Sequence, residues 1–182
     1  YNKPFNFLKN LPIKLNNFYK KHSRFKFRVD NKSKTIKDFD PVTNIDRGFE
    51  KYIRTLIQKS FPEDSIIGEE FENKYSLNDF QWCIDPIDGT RAFIIGAPTW
   101  SNLIGLSFKN KSLVGLANFP ELNKFYISDH KKSYVIKDKK KSILRSSKNN
   151  NLKTIKIIGN FHGTLSYEKQ KKLLKNLAGL LD

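Results

Sequence analysis

The chain has 182 residues, 38% of them hydrophobic, a length that suits one domain or one and a half. A single cysteine, Cys83, excludes an internal disulfide and a cysteine zinc cluster, and because the sequence contains neither a long apolar run nor an export signal, we expect a soluble cytoplasmic protein. The formal charge of +16 favours acidic partners. Most of the 34 basic residues are lysines, however, which indicates a solvated surface rather than a site that binds phosphate bidentately.

Two helices are predicted near the start of the chain. Residues 5–28 carry apolar residues at a weak helical spacing that Pro12 interrupts. Residues 29–39 are polar and predict a loop. Thr43 then predicts the N-cap of a strongly amphipathic helix, with Asp46 in the capping-box position.

Short strands dominate the rest of the sequence. Residues 65–67 and the stretch "FQWCI" predict two strands, and five more after residue 100 predict an antiparallel meander: "SNLIGLSF", "SLVGLANF", "KFYISD", "SYVIKD" and "KSILRS". A further strand, "TIKIIGNF", and a helix opened by Ser166 follow. This order predicts an α+β fold of layered sheets and helices rather than a doubly wound βαβ repeat.

Acidic residues form three clusters that flank turns or the ends of elements. Carboxylates that lie close together repel, and a hard divalent cation such as Mg²⁺ relieves that repulsion. The clusters therefore predict a metal site with oxygen ligands. Their members are Asp40 with Asp46, Glu69 with Glu70, and Asp85 with Asp88.

The stretch "DPIDGT" suits such a site best. Pro86 stiffens the predicted turn and Gly89 allows the backbone to turn sharply. The carbonyl of Ile87 lies between the two acids and could supply a main-chain ligand. Thr90 could open a helix whose amides point at an anion.

Each cluster also has a simpler interpretation. Asp46 could serve only the capping box, Glu69 and Glu70 could form a solvated turn, and the "DPID" acids could cap a turn. The three histidines stand in unrelated contexts and predict surface or structural positions. The residues alone therefore support an oxygen-ligand metal site near a helix N-terminus and no further conclusion.

Taken together, the motifs resemble the inositol monophosphatase family of Mg²⁺-dependent, lithium-sensitive phosphomonoesterases. "DPVTNID" is similar to the family's D-x-V-T-x-x-D, "GEE" to its acidic turn, and "WCIDPIDGT" to its D-P-I-D-G-T signature. The order and spacing agree from about residue 5 to about residue 145. The resemblance implies a layered αβαβα sandwich of the inositol monophosphatase and fructose-1,6-bisphosphatase type.

The resemblance also implies a role for each residue. Two or three Mg²⁺ ions would be held by Glu69, Asp85, the Ile87 carbonyl and Asp88. Asp46 would hydrogen-bond Thr90 and, with Glu69 or Glu70, orient the attacking water. The substrate side would comprise Gly89, Thr90 and Arg91, the first two binding phosphate through their amides.

The sequence after the signature favours one branch of the family. "TRAFIIGAPTW", "GEEF" and "SNLIGL" resemble the histidinol-phosphate phosphatases, which implies hydrolysis of histidinol phosphate to histidinol in histidine biosynthesis. Inositol 1-phosphate and adenosine 3′,5′-bisphosphate are the alternative substrates. Arg91 could also be only a surface charge. Family members are often homodimers, so the resemblance implies a possible homodimer with a small phosphorylated substrate as its other partner.

One departure from the family limits these expectations. Nothing in residues 146–182 is similar to the family's later W-D-x-A-A-G segment, so we expect residues 1–145 to form the phosphatase domain and residues 146–182 to begin a truncated C-terminal part. An inactive truncated fragment is one alternative. A basic nucleic-acid-binding module is another, but its aromatic residues fall at helical spacing and indicate a core. We therefore expect no nucleic-acid or membrane partner.

Overall fold

The computed structural model describes residues 2–22, 28–32, 41–146, 148 and 166–179. The chain divides into two compact units, Tyr1–Leu144 and Arg145–Asp182. The predicted strand "TIKIIGNF" and Asp40 lie outside the described residues. The predicted division into a phosphatase domain and a C-terminal part stays a prediction.

Helix α1 spans Asn2–His22, so the predicted first helix exists but ends earlier than residue 28, which is not helical. Pro12 lies inside the helix and is buried, and the helix continues past it. Across the described part of the chain, no helix combines the length and the apolarity needed to cross a membrane.

Helix α2 spans Asn44–Ser60 and begins with the predicted capping box. The Thr43 hydroxyl accepts hydrogen bonds from the backbone N–H groups of Ile45 at 3.2 Å and Asp46 at 3.3 Å. The Asp46 carboxylate in turn accepts the Thr43 N–H at 2.8 Å. These bonds satisfy backbone donors that the first turn of a helix leaves without partners.

The predicted loop at residues 29–39 is partly wrong. Strand β1, Val29–Asn31, pairs antiparallel with strand β2, Pro41–Thr43, and Val29 lies opposite Thr43. A three-residue strand of this kind carries no hydrophobic alternation, so the polar stretch gave no strand signal.

Seven of the strands that the structure describes form the main sheet, and their order in the sheet follows their order in the chain. The first two strands pair in parallel and all later neighbours pair antiparallel, which confirms the predicted meander. The strands are β3 Ser65–Gly68, β4 Phe80–Asp88, β5 Ser101–Phe108, β6 Lys111–Phe119, β7 Lys124–Asp129, β8 Ser133–Lys137 and β9 Lys140–Leu144.

Short helical segments complete the described structure. Helix α3, Thr90–Ile94, follows β4, and a 3₁₀ turn, Pro120–Leu122, joins β6 to β7. In the second unit, helix α4 spans Tyr167–Gly179, which confirms the helix predicted after Ser166.

The hydrophobic core lies between the two long helices and one face of the sheet. Helix α1 contacts β6 and β7, and helix α2 contacts β4. The core joins apolar residues of both helices to alternate residues of the strands, among them Leu11, Phe49, Ile53, Trp82, Ile104 and Leu116. The N-terminus of α2 is thereby held beside the ends of β3 and β4.

The capping box makes a testable contribution to stability. Thr43→Ala removes the acceptor of two backbone N–H groups at a fully buried position, so we expect a loss of about 1–2 kcal/mol in the free energy of unfolding. Urea denaturation followed by circular dichroism measures this loss. Thr43→Ser keeps the hydroxyl and should lose much less, whereas equal losses in both variants would contradict the assignment.

Candidate active site

The acidic clusters predicted from the sequence meet at one edge of the sheet. Strands β3 and β4 are parallel, with Gly68 paired to Ile84, so the acids that follow β3 lie beside Asp85. The N-terminus of α2 brings Asp46 to the same place. The negative charges of Glu69, Asp88 and Asp46 all raise the pKa of Asp85. The fold therefore places described acids from all three predicted clusters close enough to interact electrostatically.

Asp85 is the most perturbed of these acids. Burial, followed by the negative charges of Glu69 and Asp88, raises the pKa of Asp85 to about 7. Its Oδ1 atom is buried and has no hydrogen-bond partner among the residues that the structure describes. A buried carboxylate oxygen without a donor is unusual in a folded protein and suits a cation.

Asp85 and Asp88 lie in a bulge of β4 rather than in the turn that the sequence predicts. Asp85 is opposite Leu103 and Asp88 is opposite Ser101, and the register shifts between these two pairs. A proline has no N–H to donate to a strand neighbour, and bulges are among the few places where a sheet accepts one. Strand β4 therefore accommodates Pro86 at the bulge and continues to Asp88.

The segment after the bulge turns sharply into α3. Gly89 has φ +84°, in the left-handed region that favours glycine. The Thr90 hydroxyl lies 3.3 Å from Asp46 Oδ1 and 3.1 Å from the Ile87 carbonyl, so it can donate to either oxygen. Arg91 follows with an exposed side chain. The structure thus brings Asp46, Ile87 and Thr90 together, while their roles remain predictions.

Asp46 serves both the helix cap and this segment. Burial raises its pKa, and hydrogen bonds from Thr43 and then from Thr90 oppose that rise. Its two oxygens have different partners, because Oδ2 accepts a hydrogen bond from the Thr43 N–H and Oδ1 lies within hydrogen-bond distance of the Thr90 hydroxyl. The capping role and the site role considered for Asp46 are therefore compatible.

Lys32 makes ion pairs with the two acids that follow β3. Its Nζ lies 2.8 Å from Glu69 Oε1 and 2.5 Å from Glu70 Oε1. The Glu69 side chain is 48% exposed, whereas the Glu70 side chain is 3% exposed, so the "GEE" acids are not a simple solvated turn. Burial raises the pKa of Glu70, and the hydrogen bond and charge of Lys32 oppose the rise.

Glu50 is a residue of this site that the sequence reasoning missed. It is fully buried, its Oε1 accepts Arg54 Nε at 2.7 Å, and its Oε2 accepts the backbone N–H groups of Glu69 at 3.0 Å and Glu70 at 2.7 Å. Glu50 therefore fixes the backbone from which the two acids project. The available signal was an acid four residues after Asp46, on the apolar face of the predicted helix.

Gly68 makes this contact possible. A Cβ atom at Gly68 would overlap with Oε1 of Glu50 and would also crowd Arg54 Nη2. Only a residue without a side chain lets the backbone of β3 approach the Glu50–Arg54 ion pair so closely. The first residue of "GEE" therefore has a packing reason that is separate from its acidic neighbours.

The donor set suits a hard divalent cation in its chemistry. Within the part of the chain that the structure describes, the Oδ1 atom of Asp85 has no donor, and further carboxylates lie near it. As the side chains stand within the described ranges, no group of three or more His, Cys, Asp or Glu residues is arranged to hold a metal ion. Lys32 already pairs with Glu69 and Glu70, so a cation would have to displace it to recruit them.

Comparisons with known proteins identify the family. A model of the inositol monophosphatase family matches residues 6–179. A histidinol-phosphatase of Chlorobaculum parvum is 44% identical over 90 residues, which cover 50% of this chain and 35% of that protein. A Nus factor SuhB of Haemophilus influenzae is 41% identical over 101 residues, which cover 54% of this chain and 36% of that protein. The matches span about a third of the length of these relatives.

A solved structure shows the fold. An IMPase of Thermotoga maritima superposes with a TM-score of 0.64 and 28% sequence identity, over 82% of this chain and 54% of that one. This similarity confirms the α+β fold of the inositol monophosphatase type that the motifs implied.

The Glu50 contact predicts unequal effects of two glycine substitutions in the same sheet. Gly68→Ala should lower the free energy of unfolding by about 1–3 kcal/mol, because the new methyl group must displace Glu50. Gly105→Ala in β5 is the matched control, because a Cβ there would lie 3.9 Å from the Val114 carbonyl, an ordinary contact. Urea denaturation of both variants checks the difference, and equal losses would contradict the role of Gly68.

The raised pKa of Asp85 predicts a pH-dependent stability in the presence of a chelator. The folded protein holds the Asp85 proton more tightly than the unfolded chain, whose pKa is near 3.8, so this stabilisation is complete below about pH 4 and is lost as the pH rises through 7. Asp85→Asn should therefore gain stability relative to the wild type between pH 5 and pH 8, by about 1–3 kcal/mol.

Urea denaturation at several pH values in EDTA measures this difference. The Asp46 and Glu70 carboxyls, whose pKa values are also raised, are present in both proteins, so the difference reports the Asp85 charge together with its interaction with Asp46. A difference between variant and wild type that does not change with pH would refute the assignment to Asp85.

Proposed function

The chain belongs to the inositol monophosphatase family, and we propose that it acts as a divalent-metal-dependent phosphomonoesterase on a small phosphorylated metabolite. The observation that carries the proposal is the gathering of Asp46, Glu69, Glu70, Asp85 and Asp88 at one sheet edge, around a buried Asp85 oxygen that has no donor among the described residues. A structural cluster of that charge would be costly without a cation to neutralise it.

Glu69, Asp85, the Ile87 carbonyl and Asp88 are the proposed ligands of Mg²⁺. When bound, a divalent cation activates water as a nucleophile and stabilises the charge on the phosphoryl oxygens and the leaving oxygen. Lys32 neutralises Glu69 in the structure, and its place on the carboxylate is the one a cation would take. The count of two or three ions stays a prediction.

The chain's own groups supply the proton chemistry. Glu70 is buried and its pKa is raised, which makes it a better proton acceptor near neutral pH than an ordinary glutamate. Asp46 accepts from Thr90 and so orients that hydroxyl beside the Ile87 carbonyl. Glu70 is thus the proposed group that accepts a proton from the attacking water. Asp46 is the proposed group that holds Thr90 in place.

The substrate side is proposed to lie at the start of α3. Gly89 turns the backbone there, and the amides of Gly89 and Thr90 are proposed to donate hydrogen bonds to the phosphate. Arg91 is exposed next to them and would present a positive charge to the phosphate group of the substrate. A cationic side chain at that position suits a phosphorylated and therefore anionic ligand.

Histidinol phosphate is the substrate that we propose first. The histidinol-phosphatase of Chlorobaculum parvum supports this choice, and the match to the inositol monophosphatase family keeps inositol 1-phosphate as the alternative, with adenosine 3′,5′-bisphosphate a third candidate. The cytoplasmic location and the possible homodimer expected from the sequence also remain proposals.

Phosphate release by the purified chain tests the proposal. We expect release from histidinol phosphate to require Mg²⁺, to stop in EDTA and to exceed release from inositol 1-phosphate about tenfold. Asp85→Asn should lower the rate about 100-fold or more, because it removes a ligand of the reacting centre. Asp79→Asn is the matched control, since Asp79 directly precedes β4, has a 55% exposed side chain and should leave the rate unchanged.

The outcomes separate the parts of the proposal. Faster release from inositol 1-phosphate would replace the substrate and keep the reaction. Mg²⁺ binding without release from any of the three substrates would mean that turnover needs residues outside this chain, as the inactive-fragment alternative holds. Equal rates for Asp85→Asn and the wild type would refute the metal centre.

A further inference from the structure

Three asparagines form a hydrogen-bonded series that runs from helix α1 to the bulge in β4. Asn118 in β6 donates from Nδ2 to Asn16 Oδ1 in α1 at 2.9 Å and to Asn102 Oδ1 in β5 at 2.9 Å. Asn102 then donates from Nδ2 to the Pro86 carbonyl at 2.7 Å. One helix and three adjacent strands are thus joined by side-chain amides.

The series lies in the layer where the core would otherwise be apolar. Asn102 is 0% exposed and Asn118 is 1% exposed, and the two residues are opposite each other in the β5–β6 register. Their neighbours on the same face two residues away are Ile104 and Leu116, which belong to the core. Buried amides cost free energy in such a layer, and apolar residues of similar shape would not.

The side-chain amide of Asn118 is one source of this free-energy cost. Both of its donors are used, but its Oδ1 is buried without a hydrogen-bond partner among the described residues. A core built only for stability would avoid an unsatisfied acceptor of this kind. The arrangement is better explained by what the series holds at its far end.

At that end is the Pro86 carbonyl, which directly precedes Ile87 and lies between the two proposed ligand acids, Asp85 and Asp88. The bulge places Pro86 and Ile87 between the pairs Asp85–Leu103 and Asp88–Ser101, where the regular pairing of β4 with β5 is interrupted. The side chain of Asn102 binds the Pro86 carbonyl within that interruption. This bond limits how far the backbone between Asp85 and Asp88 can move.

We propose that Asn102 and Asn118 are positioning residues that fix the bulge and thereby set the spacing of Asp85 and Asp88 for a divalent cation. Asn16 ties the same series to helix α1, which packs on β6. The role toward the cation rests on the proposed function, whereas the tethering of the bulge does not depend on it.

The double variant Asn102→Leu/Asn118→Leu tests the tether. It removes the hydrogen bond between the two amides from both sides, but it also leaves the Pro86 carbonyl and Asn16 Oδ1 without their donors, so the urea midpoint should fall. Asn16→Ala is the second variant, because it cuts the series at a partly buried helix position where the risk of misfolding is small. Asn78→Leu is the matched control, since its Nδ2 bond to Asp64 Oδ1 at 3.0 Å lies near the other end of β4.

Hydrogen exchange measured by mass spectrometry in EDTA tests the tether without any metal. We expect peptides that cover residues 84–90 to exchange about fivefold faster in the double variant, less so in Asn16→Ala, and at the wild-type rate in Asn78→Leu. Wild-type protection of residues 84–90 in the double variant, or in Asn16→Ala should the double variant not fold, would overturn the proposal.

Titration calorimetry with Mg²⁺ alone tests the role toward the cation. We expect the dissociation constant to rise about tenfold in the double variant, measured at a temperature where its circular dichroism equals that of the wild type. Faster exchange with an unchanged Mg²⁺ affinity would overturn the positioning role. A wild-type chain that binds no Mg²⁺ would refute the metal centre and this role together, and the exchange experiment would still decide whether the series tethers the bulge.

Discussion

Mutual repulsion of carboxylates at one sheet edge is the constraint on which this structure depends. Like charges this close would drive the strand ends apart unless other groups held them. Each acidic segment is accordingly held by a different partner. Glu50 binds the backbone after β3, Thr43 binds Asp46, and Asn102 binds the bulge in β4. Lys32 then offsets part of the remaining negative charge.

The sheet topology explains why the repulsion is concentrated at that edge. Among the described strands of the main sheet, β3 and β4 are the one parallel pair, and parallel neighbours end at the same edge. The antiparallel meander that follows gives the sheet its width and a continuous apolar face for α1 and α2. Helix α2 packs on β4 and points its capped N-terminus at the strand ends. The core therefore places the acids, although no acid contributes to the core's hydrophobic stabilisation.

The sequence predicts those parts of the fold that depend on local pattern. Helix α2 has both a cap signal and an apolar face, and the meander strands alternate between turn residues, so each element could be predicted. Strand β1 and the bulge could not, because both depend on pairing with distant residues. Glu50 was missed for a related reason. Its role appears only once β3 lies against α2, when Gly68 brings the two backbone amides within reach.

Two buried acids in this region show how the same residue chemistry serves different ends. Glu50 has both oxygens bound by protein donors, Arg54 on one side and two backbone amides on the other, so its charge is used to hold structure. Asp85 keeps a buried oxygen without a protein donor among the described residues, while other acids crowd it. A fold that can satisfy one buried carboxylate completely could satisfy its neighbour in the same way. That the unsatisfied acid is the one at the centre of the cluster argues that its free oxygen serves a ligand rather than the fold.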